Sequence, residues 1–257
     1  MTQTVPDMSP MGDGTVTEDR MLSGRVRLRQ GKAGYRAGMD AALLAAACDA
    51  LPGQRVVDVG CGPGAVMLAA AVRLPLVHFV GIERDAGAVG LARENIALNS
   101  LEGRAEAIQA DVGGRFAYLG LQPFDAVLCN PPFFDDPDAI RGPAPERTGA
   151  YMADAGLQTW IEFLLKAVRE GGTITVIHRA DRLRDLLALL GTKAGSMKIR
   201  PIHPFADTPA KRVLVRAVKT GKGPLNLLTP LILHDRSGPK HTHEAEAILR
   251  GDAALGW

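Results

Sequence analysis

Short apolar runs alternate along this chain with longer segments whose apolar residues recur every three or four positions. The runs are typical of buried strands, and the longer segments are typical of helices with one apolar face. Strand-like runs cover 54–57, 77–82, 105–110, 124–129, 173–177, 198–203 and 212–218. Helical patterns cover 40–51, 65–72, 85–99, 157–168 and 181–190. The glycines at 171 and 172 are expected to end the fourth of these helices. The alternation predicts an α/β fold with a mostly parallel sheet.

A glycine-rich segment, Asp58-Val59-Gly60-Cys61-Gly62-Pro63-Gly64, lies between the first strand-like run and a helical pattern. Glycines allow tight turns and let a ligand approach where a Cβ atom would clash. Glu83 closes the next run about twenty residues later, where nucleotide sites of α/β proteins use a carboxylate on ribose hydroxyls. Asp111 closes the third run and could accept a hydrogen bond from an adenine amino group. The pattern predicts a cofactor that carries a nucleoside, and its G-x-G-x-G spacing disfavours NAD.

The tetrapeptide Asn130-Pro131-Pro132-Phe133 closes the fourth run. The Asn130 side-chain oxygen and the Pro131 carbonyl can accept the two N–H groups of a planar amine, and Pro132 restricts the residue before it. Phe133 can stack on a flat target, a contact worth roughly 1–3 kcal/mol for a base. Asn-Pro and Pro-Pro pairs also form plain turns. Ligands of open α/β sheets bind outside the carboxyl ends of strands, which favours the functional interpretation.

Together the two motifs indicate methyl transfer from S-adenosyl-L-methionine (AdoMet) to an amide or amino nitrogen. The exocyclic amine of adenine is a poor nucleophile because its lone pair is delocalised into the ring. Two acceptors return electron density to that nitrogen, and in-line positioning against a sulfonium can supply much of the rate enhancement. The motif therefore requires no general base.

These motifs resemble those of class I AdoMet-dependent N-methyltransferases, over roughly residues 30–220. Within that group they most resemble bacterial tRNA adenine-N6 methyltransferases that act beside the anticodon of a valine tRNA. The segment 34–46 resembles the N-terminal entry of that family, and 130–134 with Glu146-Arg147 and Ala150-Tyr151 resembles its target motif. The family often has Tyr where this chain has Phe133, which keeps the stacking face and loses a hydroxyl.

The resemblance implies a Rossmann-like fold whose seven-stranded sheet is mostly parallel with an antiparallel last strand. It also implies AdoMet as the cofactor and an enzyme that modifies RNA, with tRNA expected. The implied cofactor-binding residues are Asp58, Gly60, Gly62, Gly64, Glu83, Asp111, Asn130 and Asp40, and the implied catalytic residues are Asn130, Pro131, Pro132 and Phe133. Protein-glutamine and ribosomal RNA guanine-N2 methyltransferases carry closely similar motifs, and a non-catalytic RNA-binding module with this fold is a further alternative.

Charge is unevenly distributed, although the net charge is only +2. Residues 20–36 hold six cations and no acid, and residues 193–240 hold ten cations and two acids. Basic clusters of this kind are typical of proteins with a polyanionic partner and favour RNA over a protein substrate. The expected RNA contacts are Tyr35, Arg36, Arg141, Arg147, Lys211 and Arg212. Arg141 and Arg147 lie in an aperiodic stretch, 134–151, which we expect to cover the target base.

Length and composition agree with one domain, since 257 residues with 46% hydrophobic content can bury a substantial core. We expect a disordered lead over 1–19, a methyltransferase domain over 20–240 in which 24–34 forms a basic hairpin or arm, and a tail over 241–257. Cysteines at 48, 61 and 129 lack metal-ligand spacing and are interpreted as buried free thiols. We expect no metal, no membrane span and a cytoplasmic location, because neither a signal region nor a long apolar run occurs.

Overall fold

Strands and helices alternate in the computed structural model, which describes residues 16–32, 38–132 and 156–257. The strands are β1 (Val16–Met21), β2 (Val26–Gly31), β3 (Arg55–Val59), β4 (His78–Glu83), β5 (Ala105–Gln109), β6 (Phe124–Cys129), β7 (Val168–Arg179), β8 (Ala194–His203), β9 (Arg212–Lys219), β10 (Asn226–Leu227) and β11 (Leu231–Ile232). The helices are α1 (Met39–Ala46), α2 (Ala65–Arg73), α3 (Ala86–Leu98), α4 (Leu157–Ala167), α5 (Leu183–Leu190) and α6 (His243–Arg250).

The central sheet has the strand order β10-β8-β9-β7-β6-β3-β4-β5, and β11 also pairs with β8. Strands β3 to β7 pair in parallel with one another, whereas β9 runs antiparallel between β7 and β8. This confirms the mixed sheet with an antiparallel last long strand. The short strands β10 and β11 extend it beyond the seven expected, because they add to the edge of β8.

Helices cover both faces of the sheet, and the alternation of side chains along each strand divides the core into two apolar clusters. Val56 belongs to the cluster under α1, α2 and α3, and Val57 belongs to the cluster under α4 and α5. The almost uniformly apolar α2 is buried along most of its length. Because residues i and i+2 share a face, β3 directs Asp58 towards the α2 side and Val59 towards the other.

The basic segment forms part of a hairpin, which docks on α3 through two asparagines. The hairpin consists of β1 and β2 and begins at Val16, earlier than the expected 24–34. The Asn99 side chain pairs with both backbone polar groups of Arg27 at 2.7 and 2.9 Å. The Asn95 side chain pairs in the same way with Arg29 at 2.7 and 2.8 Å. Asn95 and Asn99 are one helical turn apart, so they occupy the open edge of β2 as a neighbouring strand would.

Three boundaries differ from those expected. Residues 16–19 of the lead belong to β1, because β1 pairs with β2 along its whole length. The tail contains α6, and Ala245, Ile248 and Leu255 are buried in the same cluster as α1, so 241–257 is part of the fold. The pair Gly171-Gly172 does not end α4, which stops at Ala167. These glycines lie inside β7, where a Cβ on Gly172 would come within 2.8 Å of the Asp125 carbonyl.

Candidate active site

The register of three parallel strands brings the two sequence motifs to one edge of the sheet. Val59 is opposite Cys129 in the β3–β6 pair and opposite Ile82 in the β3–β4 pair. The next residues, Gly60, Asn130 and Glu83, therefore leave adjacent strands about 4.8 Å apart. The glycine loop and the Asn-Pro-Pro turn are neighbours at the carboxyl edge, the part of an open α/β sheet where ligands bind.

The glycine loop adopts a backbone that side chains disfavour. Gly60, Gly62 and Gly64 have φ values of 75°, 53° and 93°, and Gly64 is the N-cap of α2. A Cβ atom on Gly60 would lie 2.6 Å from the Trp160 ring of α4, whereas one on Gly62 would meet no atom within 4 Å. Gly60 therefore permits close packing inside the fold, and Gly62 leaves open space beside the loop.

Glu83 holds the loop from the tip of β4. Its Oε2 accepts a 3.0 Å hydrogen bond from the Gly62 N–H. Its Oε1 accepts from the N–H groups of Arg84 and Asp85 at 2.8 and 2.9 Å. A carboxylate has about four acceptor sites, and these three hydrogen bonds use three of them. The remaining site on Oε2 suits a ribose hydroxyl, as the sequence predicts.

Asp58 lies beneath the loop rather than on its surface. Its side chain is 1% exposed and accepts a 3.1 Å hydrogen bond from the Met67 N–H in the first turn of α2. Burial raises the pKa of Asp58 to about 7; the Met67 bond lowers that pKa and the charge of Glu83 raises it. Asp58 thus joins β3 to α2 and positions the loop. The direct cofactor contact expected from the sequence does not fit this burial.

The other two predicted acids also lie at the carboxyl edge. Asp111 is exposed just beyond β5, and its Oδ1 accepts from the Gly113 N–H at 2.7 Å. Asp40 is in the first turn of α1, where its Oδ2 accepts a 2.9 Å bond from Arg212 Nε. Asp111 is exposed and makes its bond within its own loop, whereas the charge of Asp40 is neutralised within the fold.

The target motif is described only in part. Asn130 is half-buried, Pro131 is buried and Pro132 is half-buried, directly after β6. Phe133 lies outside the described residues, as do the predicted RNA contacts Tyr35, Arg36, Arg141 and Arg147.

The structure divides the predicted basic clusters into paired and exposed cations. In the hairpin, Arg27 bonds Glu18 at 2.9 Å and Arg25 bonds Asp252 at 2.7 Å. Glu18 precedes the segment counted as basic, and Asp252 follows α6, so the sequence count missed both partners. Lys211, by contrast, is exposed at the start of β9. The hairpin therefore offers less free positive charge than its sequence predicts.

The second basic segment is partly engaged in the same way. Arg216 bonds Asp49 at 2.7 Å, Lys219 bonds Glu170 at 3.2 Å, and Arg200 donates to the Thr229 carbonyl at 2.9 Å. These three cations hold β8 and β9 against neighbouring segments. The charge that remains for a partner is concentrated in loops rather than along the strands.

Sequence reasoning missed two residues that shape the loop, Asn95 and Trp160. Besides binding Arg29, the Asn95 Nδ2 atom donates a 2.9 Å bond to the Pro63 carbonyl in the glycine loop. Asn95 is fully buried, and its amide is shared between the hairpin and the loop. An asparagine inside a helical pattern gives no signal of this contact, because both partners come from distant segments.

The three cysteines are buried free thiols, as expected. Burial raises the pKa of Cys61 and Cys129 well above the ordinary range and that of Cys48 to about 11. Among residues 16–32, 38–132 and 156–257, no cluster of three or more His, Cys, Asp or Glu side chains is arranged to hold a metal ion. Within the same ranges, no helix has the length and apolar character needed to cross a bilayer.

Taken as a whole, the edge fits a ligand with a nucleoside and a charged side group. Gly62 leaves space at the loop, Glu83 offers a fixed acceptor for a ribose, and Asp111 offers an acceptor further along the edge. Asn130 leaves the strand next to this set. The arrangement can hold AdoMet and present an acceptor to a second group at the adjacent strand.

Comparison with known proteins also identifies this chain as a methyltransferase. The methyltransferase small domain profile matches residues 36–142. The chain is 30% identical over 219 residues to the tRNA1(Val) (adenine(37)-N6)-methyltransferase of Bacteroides thetaiotaomicron, covering 80% of this chain and 87% of that relative. It is 28% identical over 213 residues to the protein of the same name from Porphyromonas gingivalis, covering 79% and 83%.

Solved structures share the fold. A predicted O-methyltransferase from Agrobacterium tumefaciens is 28% identical with a TM-score of 0.70, covering 84% of this chain and 98% of that one. Pyrococcus horikoshii TYW2, solved in complex with MeSAdo, is 16% identical with a TM-score of 0.52, covering 82% and 74%. The second likeness supports the fold alone.

Proposed function

This chain belongs to the tRNA1(Val) (adenine(37)-N6)-methyltransferase family, and we propose that it transfers a methyl group from AdoMet to the N6 amino group of an adenine in tRNA. The observation that carries the proposal is the pairing of Val59 with Cys129. It places the glycine loop and Asn130 on adjacent strand ends, as transfer between two ligands requires.

We assign the cofactor side of the site to Gly60, Gly62, Glu83 and Asp111. Glu83 would accept from the ribose, Asp111 from the adenine amino group, and the open face of Gly62 would admit the nucleoside. Asp58 and Asn95 would act as positioning residues, because each holds a neighbour of the loop without facing the ligand. When bound, AdoMet supplies a methyl carbon activated by its sulfonium.

We assign the target side to Asn130, Pro131, Pro132 and Phe133. The Asn130 oxygen and the Pro131 carbonyl would each accept one N–H of the target amine, which directs the nitrogen lone pair towards the cofactor side. Phe133 would stack on the base. The proton of the methylated amine can leave to water, so this step requires no general base from the protein.

The partner side of the proposal is RNA, and specifically tRNA. The named relatives modify tRNA, and exposed cations such as Lys211 lie at the same edge as the site. A target inside a stacked loop would have to be extruded, at a cost of a few kcal/mol. A tRNA substrate would also place the protein in the cytoplasm, as the sequence predicts.

Nucleoside mass spectrometry tests the proposal. Bulk tRNA from cells lacking the protein should lose an N6-methyladenosine signal, and purified protein with AdoMet should restore it. The same assay on ribosomal RNA and release-factor protein distinguishes the guanine-N2 and protein-glutamine alternatives, because each yields a different methylated product. A methyl group recovered only on one of those substrates would disprove the tRNA assignment. Absence of AdoMet binding would instead favour a non-catalytic RNA-binding module.

A further inference from the structure

Two loops beyond β8 carry an aromatic surface at the same edge as the proposed active site. Because β8 is parallel to β7 and β6, residues 204–211, which follow it, open on the carboxyl edge with Asn130. Residues 233–242 follow β11, which is parallel to β8, and emerge beside them. The end of β8 lies three strand spacings from β6, about 14 Å across the sheet. Ile199 is level with Cys129, so β8 also continues four residues, about 13 Å, beyond the end of β6.

Three rings and a guanidinium form a continuous stack on these loops. The Phe205 and His234 ring centroids are 5.4 Å apart, and those of His234 and His241 are 5.0 Å apart with nearly parallel planes. The Arg236 guanidinium lies 4.4 Å from the Phe205 centroid. We refer to Phe205, His234, His241 and Arg236 as the edge stack.

The edge stack is not part of the packed interior. Phe205 belongs to neither apolar cluster, and all three rings are half-buried. Within the stack, His241 also lines a cleft of about 680 Å³, whose other walls include Arg20, Met39 and Arg250. Partly exposed aromatic rings beside basic side chains are typical of surfaces on which unpaired bases stack.

The backbone beneath the stack is held by hydrogen bonds. The Leu233 and His234 N–H groups donate to the carbonyls of His203 and Pro204, both at 2.9 Å, so the two loops continue the pairing of β8 with β11. The His234 Nδ1 atom is 2.7 Å from the Lys240 carbonyl, which orients the ring. Loops fixed in this way present their rings at low entropic cost to a partner.

The charges around the stack are complementary to a phosphate backbone. Lys240 and Lys211 are exposed beside it. Of the two acids in these loops, Asp207 pairs with Arg236, and Asp235 accepts from the Ser237 N–H at 2.9 Å. The Arg236 charge offsets Asp207, whereas Asp235 keeps its charge, so the two lysines against one acid leave these loops with a net charge of about +1.

We propose that the edge stack binds the RNA substrate away from its target base, with an unpaired base on the outer face of the Arg236 guanidinium, which Phe205 supports from below, and the neighbouring phosphates on Lys240 and Lys211. This inference rests on the proposed function, because it extends the same RNA along the same edge. An RNA strand that spans about 19 Å between the ends of β6 and β8 would connect the two sites.

Anisotropy of labelled bulk tRNA with the full-length protein tests the inference. Phe205→Ala should raise the Kd roughly tenfold, the loss of one stacked base, and should leave the dependence of log Kd on log salt unchanged. Lys240→Ala should weaken binding and reduce that slope by about one. Lys222→Ala is the matched control. Lys222 is also an exposed lysine of the same basic segment, but it lies beyond the amino end of β8. The Kd of this variant for tRNA should stay within about twofold of the wild-type value.

Two further comparisons distinguish a loss of RNA binding at the edge stack from a loss of folding and from a failure of the proposed function. Phe205→Leu retains apolar bulk, so it should also weaken tRNA binding while the Tm and the AdoMet affinity stay at wild-type values. If wild-type protein binds and methylates tRNA but Phe205→Leu and Lys240→Ala bind it as Lys222→Ala does, the edge stack is not an RNA site and the proposed function stands. If wild-type protein binds a glutamine peptide and no tRNA, both proposals fall.

Discussion

Arg212 donates from Nε to the Asp40 carboxylate at 2.9 Å, which joins the start of β9 to the first turn of α1. The sequence assigned Arg212 to RNA and Asp40 to the cofactor, so neither assignment anticipated the ion pair. Their side chains are only 31% and 20% exposed. The pair positions α1 at the carboxyl edge, and Lys211 is the better candidate for a phosphate contact.

This relationship predicts different effects for two adjacent residues. Arg212→Gln and Asp40→Asn should each lower stability, and a double-mutant cycle by denaturant unfolding should give a coupling of about 1 kcal/mol. Lys211→Ala should leave stability unchanged and weaken tRNA binding in a salt-dependent way. A coupling near zero would show that the pair does not hold α1.

Glu83→Gln should weaken AdoMet binding about 10- to 100-fold, since the variant loses charge-assisted bonds to a fixed carboxylate. Isothermal titration with AdoMet measures the effect. Glu106→Gln is the matched control, because Glu106 is an exposed acid on neighbouring β5. Equal affinities for the two variants would remove Glu83 from the cofactor site.

Asn95→Ala and Asn99→Ala should separate hairpin docking from loop positioning. Both variants lose bonds to β2 and should lower the Tm, but only Asn95 also bonds Pro63. Asn95→Ala should therefore raise the AdoMet Kd roughly 3- to 10-fold, the equivalent of about 1 kcal/mol. An equal loss of affinity in both variants would show that the hairpin, rather than the Pro63 contact, supports the loop.

Asn130→Ala should lower kcat roughly 100-fold or more, as for loss of a group that acts on the reacting centre, while the AdoMet Kd stays within about twofold. Single-turnover methylation of tRNA and direct AdoMet titration give the two quantities. Asn130→Asp keeps an acceptor oxygen and should retain more activity than the alanine variant. Normal turnover by Asn130→Ala would contradict the assigned role.

Asp58 should give a pH-dependent term in stability. Its pKa is about 7 in the fold, mainly because of burial, against an ordinary 3.8. Between these values the folded carboxyl keeps a proton that the unfolded one loses, so its stabilising contribution is full below the lower value and is lost as pH rises through the higher one. The unfolding free energy of wild type minus that of Asp58→Asn should therefore fall between about pH 4 and 7, by at most ~1.4 kcal/mol per unit. A difference that is constant with pH would show that Asp58 is ionised in the fold.

The sequence by itself determined the fold class, the strand ends that carry the site, and the buried thiols. These depend on local features: apolar periodicity defines β3 and β6, and glycines at positive φ mark the turn after β3. The helical pattern that begins at residue 85 also matches α3, where Asp85 is the N-cap and its Oδ1 accepts from the Ala88 N–H at 2.8 Å. Such features can be predicted from the sequence because each one depends on residues that are close together in the chain.

Only the tertiary structure decided which charges are free and which polar groups position the loop. From the sequence alone, Arg27 and Arg212 are interpreted as surface cations, but in the fold they pair with Glu18 of β1 and Asp40 of α1. Asn95 is likewise interpreted as an ordinary helix residue, but its side-chain amide bonds β2 and the glycine loop. The physical reason is that ion pairs and side-chain amide contacts form between segments far apart in the chain. Their partners are set by packing, which no local pattern records.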